Sequence, residues 1–195
     1  MITYFTNDEI YLQERERNYL QITQANLHRD PCLAKLKDFY IECAKVAMTE
    51  MGYIDDVQIT SMWATRQAKG GHHHEHIHNN TFIVGLLYLL NVDNGGPGTT
   101  FVNSSANLYQ MLPTGNSKPK MFKKDFETTF VPGDFHIFPG WLSHYTKISQ
   151  SPYRIVVPAN FMPVGKTNDD HFDRFNYKEL NEEDLKQYEP KFLYY

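Results

Sequence analysis

Five of the nine histidines in this chain fall within seven positions, from His72 to His78. Neutral imidazole is the commonest metal ligand among protein side chains, so this cluster indicates a metal site. The cluster is internal, unlike an affinity tag, and it separates two strand-like segments, residues 57–65 and 82–91. Residues two apart on a strand point to the same face, so His76 and His78 can direct both imidazoles at one ion.

A third candidate ligand, His144, follows residues 135–138, whose alternating pattern predicts another strand. Arg154 comes ten positions later, within a further predicted strand, residues 153–157. Three ligands on one face of an iron ion leave the other positions open for a bidentate cosubstrate and oxygen. The planar guanidinium of Arg154 suits a distal carboxylate. An acid with a chelating end and a carboxylate end would bridge the metal and this arginine, and 2-oxoglutarate is such an acid.

The elements that must position these side chains are a helix followed by many strands. Asp30 and Pro31 are typical of a helix start, as N-cap and first helical residue, and Gly52 is a stop signal. Apolar residues recur between them at helical spacing: Leu33, Leu36, Tyr40, Cys43, Ala47 and Met51. From residue 56 to 162, short apolar or alternating segments separated by turns predict strands. We therefore expect a mainly β fold, a double-stranded β-helix of the jelly-roll or cupin-like type, with flanking helices.

A length of 195 residues suits one domain, residues 1–195. We expect residues 1–55 to form a mixed, helical support and residues 56–162 to form the β core. Residues 163–195 are predicted to be a C-terminal tail with a surface helix. The polar, lysine-bearing segment 104–127 is a candidate loop over the substrate.

The composition argues against several other classes of function. A net charge of −4 leaves no basic footprint for nucleic acid or an anionic membrane. No apolar run reaches the roughly 18 residues that a membrane-spanning helix needs, and the N-terminus does not resemble a signal peptide. The two cysteines, Cys32 and Cys43, are expected to be reduced. We therefore predict a cytoplasmic location, which would be the host cytoplasm if the protein is virus-encoded.

Two segments of the chain resemble a family of 2-oxoglutarate/Fe(II) oxygenases. Residues 76–89 resemble its H-x-H-P-x-S-x-x-S-G-x-x-Y segment, and residues 131–160 resemble its P-x-x-G-x-x-x-x-F-P-x-x-x-x-H…R…N segment, with Arg154 and Asn160 as the last two positions. Trp63 resembles the tryptophan that precedes the first metal strand of that family. The resemblance covers roughly residues 57–162. It implies a double-stranded β-helix, Fe(II), the cosubstrates 2-oxoglutarate and O2, and hydroxylation of a C–H bond or a related oxidation.

The resemblance also assigns roles to individual residues. It implies that His76, His78 and His144 bind the metal and that Arg154 and the hydroxyl of Tyr88 bind 2-oxoglutarate. Supporting or pocket positions are implied for three more residues, Trp63, Thr81 and Asn160.

One feature departs from the wider superfamily, which usually has a carboxylate as the second ligand of the H-x-D or H-x-E pair. This chain offers such a pair in His73 and Glu75, which is an alternative metal pair. A slip of one residue on a strand reverses the face of every side chain, so the register decides between the two pairs. We favour His76 and His78, because that register keeps Thr81 aligned with the family.

A metal-binding cupin is the alternative function, either as an enzyme that does not use 2-oxoglutarate or as a non-catalytic binding protein. Gly70, His76 and His78 fit the first cupin pattern, G-x5-H-x-H, although its glutamate is missing. The substrate is expected to be a small molecule or a peptide. The aromatic end of the chain, residues 192–195, could contribute to a homodimer contact.

Overall fold

The computed structural model of the chain describes residues 1–12, 19–53, 56–92, 96–105, 123–167 and 175–177. The predicted C-terminal tail helix, most of the lysine-bearing loop and the aromatic C-terminus lie outside these residues. The division of the chain into support, core and tail therefore stays a prediction.

The N-terminal part is a series of short elements before one long helix. Helix α1 (Ile2–Phe5) and a 3-10 turn (Asp8–Ile10) precede strand β1 (Leu20–Ile22). Two further 3-10 turns, Leu27–Arg29 and Pro31–Leu33, lead into helix α2 (Ala34–Glu50).

The predicted capping by Asp30 and Pro31 is confirmed, but the α-helix itself begins later than the sequence predicts. The Asp30 side chain accepts a hydrogen bond from the Cys32 backbone N–H at 2.8 Å, and Pro31 is the first residue of the turn. That first turn is a 3-10 turn, so the α-helical part begins only at Ala34. At the other end, Gly52 adopts φ +88°, a conformation that glycine tolerates and that ends the helix.

The buried stripe of α2 follows a different line from the one that the spacing predicts. The prediction is right for Leu33, Leu36 and Tyr40 and wrong for three later residues: Cys43 and Ala47 are half-buried, and Met51 is exposed. Ala44 and Met48 are buried instead. From Tyr40 onward the buried residues are spaced four apart, along one of the rows of side chains through which helices commonly pack. The predicted residues were instead spaced three or four apart, to match the average of about 3.6 residues per turn.

The described residues from Asp56 onward form nine strands, all paired antiparallel. The larger sheet has the order β1-β3-β9-β4-β7, with β2 and β10 also paired to β9, and a smaller sheet has the order β6-β5-β8. The strand bounds are β2 (Asp56–Met62), β3 (Thr65–Gln67), β4 (Ile83–Asn91), β5 (Pro97–Val102), β6 (Asp125–Thr129), β7 (Phe135–Pro139), β8 (His144–Tyr145), β9 (Arg154–Thr167) and β10 (Phe175–Tyr177).

Strand β4 lies in the middle of the molecule and is buried on both faces, as its continuous apolar run predicts. One face, including Ile83 and Leu87, packs with α2 and the N-terminal elements in the main core. The opposite face, including Val84 and Leu86, packs with aromatic side chains from the other strands. The predicted mainly β, jelly-roll architecture with flanking helices is confirmed. No helix within the described ranges is long and apolar enough to cross a membrane.

Candidate metal centre

Backbone pairing brings the three predicted histidine ligands to one place. His76 and His144 form an antiparallel bridge, in which each backbone N–H donates to the carbonyl of the other, at 2.9 and 3.0 Å. The His78 N–H donates to the carbonyl of Gly140 at 2.9 Å. Residues opposite each other in such a pair point to the same face, so the imidazoles converge. Their ring centroids lie 4.3 to 5.3 Å apart.

Each of these rings is oriented by a hydrogen bond from Nδ1. The Nδ1 of His76 lies 2.7 Å from the carbonyl oxygen of His74, and that of His144 lies 2.8 Å from the carbonyl of Leu142. The Nδ1 of His78 lies 2.6 Å from Oδ1 of Asn160. Because these oxygens can only accept, each Nδ1 carries the proton and each Nε2 keeps a lone pair for a metal.

The protonation of the three imidazoles also suits metal binding. Burial lowers the pKa of His78 to about 4, although the Asn160 hydrogen bond opposes this shift. Burial, helped by the charge of His76, lowers the pKa of His144 to about 3, and burial also lowers the pKa of His76. All three rings are therefore neutral near pH 7. Their ligand atoms lie within 4.8 Å of one another, the only such cluster of three or more in the described part of the chain.

A cavity opens beside the three histidines and reaches Arg154. Its apolar wall includes Val84, Leu86 and Phe138. Its polar wall, apart from the histidines and Arg154, consists of Thr65, Gln67, Thr99 and Thr146. The metal-binding atoms and the predicted carboxylate anchor thus share one cavity.

Arg154 is a buried cation that forms no salt bridge with any residue the structure describes. The residue is 3% exposed, and among the described residues its terminal nitrogens donate only to the backbone carbonyls of Pro97 (3.2 Å) and Gly98 (3.4 Å). Its Nε–H has no hydrogen-bond partner among the described residues. Burial lowers its pKa to about 10, so the group remains charged at pH 7. A buried charge is normally paired, so this guanidinium is suited to a carboxylate ligand.

Two of the three predicted supporting residues contact the histidines. Trp63 stacks on His78, with ring centroids 5.7 Å apart, and lines the cavity. Asn160 holds the Nδ1 of His78. The Thr81 side chain has no such contact with a histidine: its hydroxyl donates to the carbonyl of Asn79, and its backbone lies against Gly140.

Tyr88 is not among the residues that line the cavity, and its hydroxyl is bonded to Thr99, which does line it. The hydroxyl accepts from the Thr99 backbone N–H (2.7 Å) and lies within hydrogen-bond distance of the Thr99 and Thr128 hydroxyls (2.9 and 2.6 Å). These contacts favour a role in joining β4 to β5 and β6. A direct contact of Tyr88 with 2-oxoglutarate stays a prediction.

The side chains of the alternative metal pair, His73 and Glu75, lie in different places. Glu75 is exposed and accepts a hydrogen bond from the Ser143 hydroxyl at 2.7 Å. His73 turns inward, lines the cavity and lies against His76, with ring centroids 4.1 Å apart. The geometry therefore favours the register that directs His76 and His78 at one point.

Sequence reasoning missed all four polar wall residues other than the histidines and Arg154, namely Thr65, Gln67, Thr99 and Thr146. Gln67 lies on β3, opposite Arg154 on β9. The alternation of Thr65, Arg66 and Gln67 is the only local signal of that strand, and it does not reveal the strand's partner.

The chain matches a family model in sequence and solved structures in fold. Residues 61–160 match the model of a family described as "Putative 2OG-Fe(II) oxygenase". The non-heme alpha ketoglutarate dependent epimerase SnoN from nogalamycin biosynthesis has a similar structure, with a TM-score of 0.59 and 13% identity over 84% of this chain and 71% of SnoN. HygX from Streptomyces hygroscopicus, solved with nickel and 2-oxoglutarate, aligns with a TM-score of 0.55 and 11% identity over 83% of this chain and 76% of HygX. A comparison with curated proteins gave no match.

Proposed function

Because this chain belongs to the 2OG-Fe(II) oxygenase family, we propose that His76, His78 and His144 bind its Fe(II) and that Arg154 binds the distal carboxylate of 2-oxoglutarate. The chain is an enzyme, an Fe(II)- and 2-oxoglutarate-dependent oxygenase. The observation that supports these residue roles is one cavity lined by three oriented imidazoles and by a buried guanidinium that has no anionic partner within the described ranges.

The residues present fit both groups. Three Nε2 lone pairs meet the need of a ferrous ion for nitrogen ligands on one face, and the unpartnered Nε–H of Arg154 meets the need of a carboxylate for a donor. When bound, Fe(II) supplies the oxidation by O2 that converts 2-oxoglutarate to succinate and carbon dioxide and oxidises the substrate.

The protein's own contribution is orientation and the exclusion of water. The backbone bridge between His76 and His144 fixes two ligands before metal arrives, and Asn160 fixes the ring of His78. Arg154 holds the cosubstrate at the end away from the metal. The apolar wall keeps solvent from the reacting atoms. No side chain is required as a general base.

The reaction that we propose is hydroxylation of a C–H bond in a small molecule or a peptide. Three neutral imidazoles leave the site one unit more positive than a set with a carboxylate. Arg154 adds a further positive charge, which favours an anionic cosubstrate. We also propose a cytoplasmic location, in keeping with the free thiols of Cys32 and Cys43. A homodimer stays a prediction.

The test of this function is the fate of 2-oxoglutarate. The purified protein with Fe(II) and O2 should form succinate from 2-oxoglutarate slowly when alone and faster with a suitable member of a substrate panel. His144→Ala should form none, because the metal loses a ligand. Substrate oxidation that proceeds without 2-oxoglutarate would favour the cupin alternative and contradict the proposed role of Arg154.

A further inference from the structure

The side-chain amide of Gln67 is buried, and its oxygen has no hydrogen-bond partner among the described residues. Its side chain is 2% exposed and lines the same cavity as the histidines. Its Nε2 lies 2.9 Å from the Thr146 hydroxyl, whereas its Oε1 has no hydrogen-bond partner in the described part of the structure. A buried polar group without a partner is costly, so this end of the amide is suited to a ligand in the cavity.

Gln67 is also the direct neighbour of Arg154. The two residues are opposite each other where β3 pairs with β9, so their side chains project from the same face of the sheet. Both belong to the cavity wall, and each has one unpartnered polar atom. The two side chains that carry these atoms are therefore cross-strand neighbours on the same wall of the cavity.

The charge of the wall indicates which ligand fits there. Arg154 is positive, and no aspartate or glutamate lines the cavity within the ranges that the structure describes. The ligand expected at such a place is a carboxylate, which offers only hydrogen-bond acceptors at neutral pH. A carboxylate would need the amide of Gln67 to present its N–H2 group rather than its oxygen.

A half-turn of the Gln67 amide turns the N–H2 group toward the cavity and keeps a hydrogen bond to the Thr146 hydroxyl. The oxygen and nitrogen of a carboxamide occupy nearly equal volumes, and their assignment follows from the hydrogen bonds around them. The Thr146 hydroxyl accepts from the His73 backbone N–H at 2.8 Å and still has its own proton to donate. After the half-turn, that proton goes to the Gln67 oxygen, and the amide N–H2 group faces the cavity.

We propose that Gln67 is a second binding residue for 2-oxoglutarate, donating from Nε2 to the distal carboxylate beside Arg154. Thr146 is the positioning residue that holds the amide in this orientation. The inference rests on the proposed function, because it needs 2-oxoglutarate to extend from the metal to Arg154. It makes the amide a specificity determinant for a 2-oxo acid that ends in a carboxylate.

The test compares two acids in an anaerobic titration of the Fe(II)-loaded protein, followed by the visible absorption band and the melting temperature. One acid is 2-oxoglutarate, and the other is 2-oxopentanoate, which lacks the distal carboxylate. Gln67→Leu should weaken 2-oxoglutarate binding by about tenfold, the loss expected for a hydrogen bond to a charged group. Gln67→Glu should weaken it further through charge repulsion. Both variants should bind 2-oxopentanoate and Fe(II) as the unchanged protein does.

Gln58→Leu is the matched control, because Gln58 is a half-buried glutamine of β2 outside the cavity wall. It should leave the affinity for both acids unchanged. Unaltered 2-oxoglutarate affinity in Gln67→Leu would overturn the inference and indicate a partner on the substrate instead. An equal loss for both acids would also overturn it, because it would show a general disturbance of the cavity. Absence of 2-oxoglutarate binding in the unchanged protein would contradict the proposed function itself.

Discussion

The hydrogen bond between Asn160 and His78 shows how a residue far along the chain can set the direction of a ligand. Asn160 lies on β9, and its Oδ1 is 2.6 Å from the Nδ1 of His78. This contact keeps the proton on Nδ1 and directs Nε2 toward the other two imidazoles. Metal sites depend on such contacts because they fix both the tautomer and the angle of the ring.

Asn160→Ala should therefore weaken Fe(II) binding by about 10- to 100-fold, the loss that is typical for such partners of metal-ligating histidines. Asn160→Asp retains an acceptor and should bind Fe(II) nearly as well as the unchanged protein. An anaerobic metal titration of both variants measures the difference. Equal affinity in the alanine and aspartate variants would contradict this role.

Arg154→Met replaces the guanidinium side chain with an apolar one of similar length and so removes the charge. It should weaken 2-oxoglutarate binding by at least about tenfold through the lost charge-assisted hydrogen bonds. Fe(II) affinity should change little, because Arg154 contacts none of the three histidines. Separate titrations with Fe(II) and with 2-oxoglutarate measure the two effects. Unchanged cosubstrate affinity would show that the guanidinium is not the anchor.

At this scale the sequence predicts residues that belong to compact local patterns. His76 and His78 share one strand-like segment, and the spacing of His144 and Arg154 matches a known family segment. Gln67 could not be found in this way, because its significance depends on a cross-strand neighbour that is far away in the chain. The position of the Tyr88 hydroxyl likewise depends on threonines of β5 and β6, which no pattern around Tyr88 reveals.

At the level of elements, the position of His78 is determined by the close packing of the backbone after β7 against the backbone before β4. Gly140 accepts from the His78 N–H and donates its own N–H to the carbonyl of Phe82 at 3.0 Å. A Cβ at this glycine would overlap the backbone of Thr81. Only glycine permits both hydrogen bonds and this contact together.

Gly140→Ala should accordingly destabilise the protein by about 1–3 kcal/mol, the usual cost of overpacking, and should weaken Fe(II) binding as well. Gly52→Ala is the control, because Gly52 has φ +88°, open space around it and a position at the end of α2. It should cost about 1–2 kcal/mol through backbone strain alone and leave Fe(II) affinity unchanged. Thermal unfolding and metal titration of both variants separate these effects. Full metal affinity in Gly140→Ala would contradict the argument.

Helix α2 shows what patterning can and cannot predict about an element. The Asp30 cap of the 3-10 turn that leads into it and its end near Gly52 follow from local chemistry, and both are confirmed. The exact buried line depends on how the helix lies across the sheet. Tyr40, for example, donates its hydroxyl to the carbonyl of Val157 at 2.5 Å, a contact that only the packed structure reveals.

At the scale of the whole molecule, burying several neutral imidazoles makes stability depend on pH. The pKa of His78 is lowered from 6.5 to about 4 and that of His144 to about 3. Below pH 6.5 the unfolded chain binds protons that the folded chain excludes, so the metal-free protein loses stability as pH falls toward about 4. Urea unfolding across this range should show a falling free energy of unfolding.

The same measurement on His144→Asn should show a shallower fall, because one buried imidazole is gone. A free energy of unfolding that stays constant between neutral pH and the lowered pKa values would contradict this account.

The overall architecture could be predicted from the sequence because strand segments, turns and one amphipathic helix leave few ways to bury the apolar faces. The strand order could not, since β9 pairs with β2, β3 and β4, and each of these pairings joins residues 63 or more positions apart. That order forms the cavity and places Arg154 within it. The substrate stays open for the same reason, because the residues that would recognise it come from several distant elements.

An anaerobic absorption spectrum tests most directly whether the three imidazoles and Arg154 hold Fe(II) and 2-oxoglutarate together. The account predicts a weak visible charge-transfer band when both Fe(II) and 2-oxoglutarate are added, no band with either alone, and loss of the band in His144→Ala. Tight Fe(II) binding without any such band on addition of 2-oxoglutarate would contradict it.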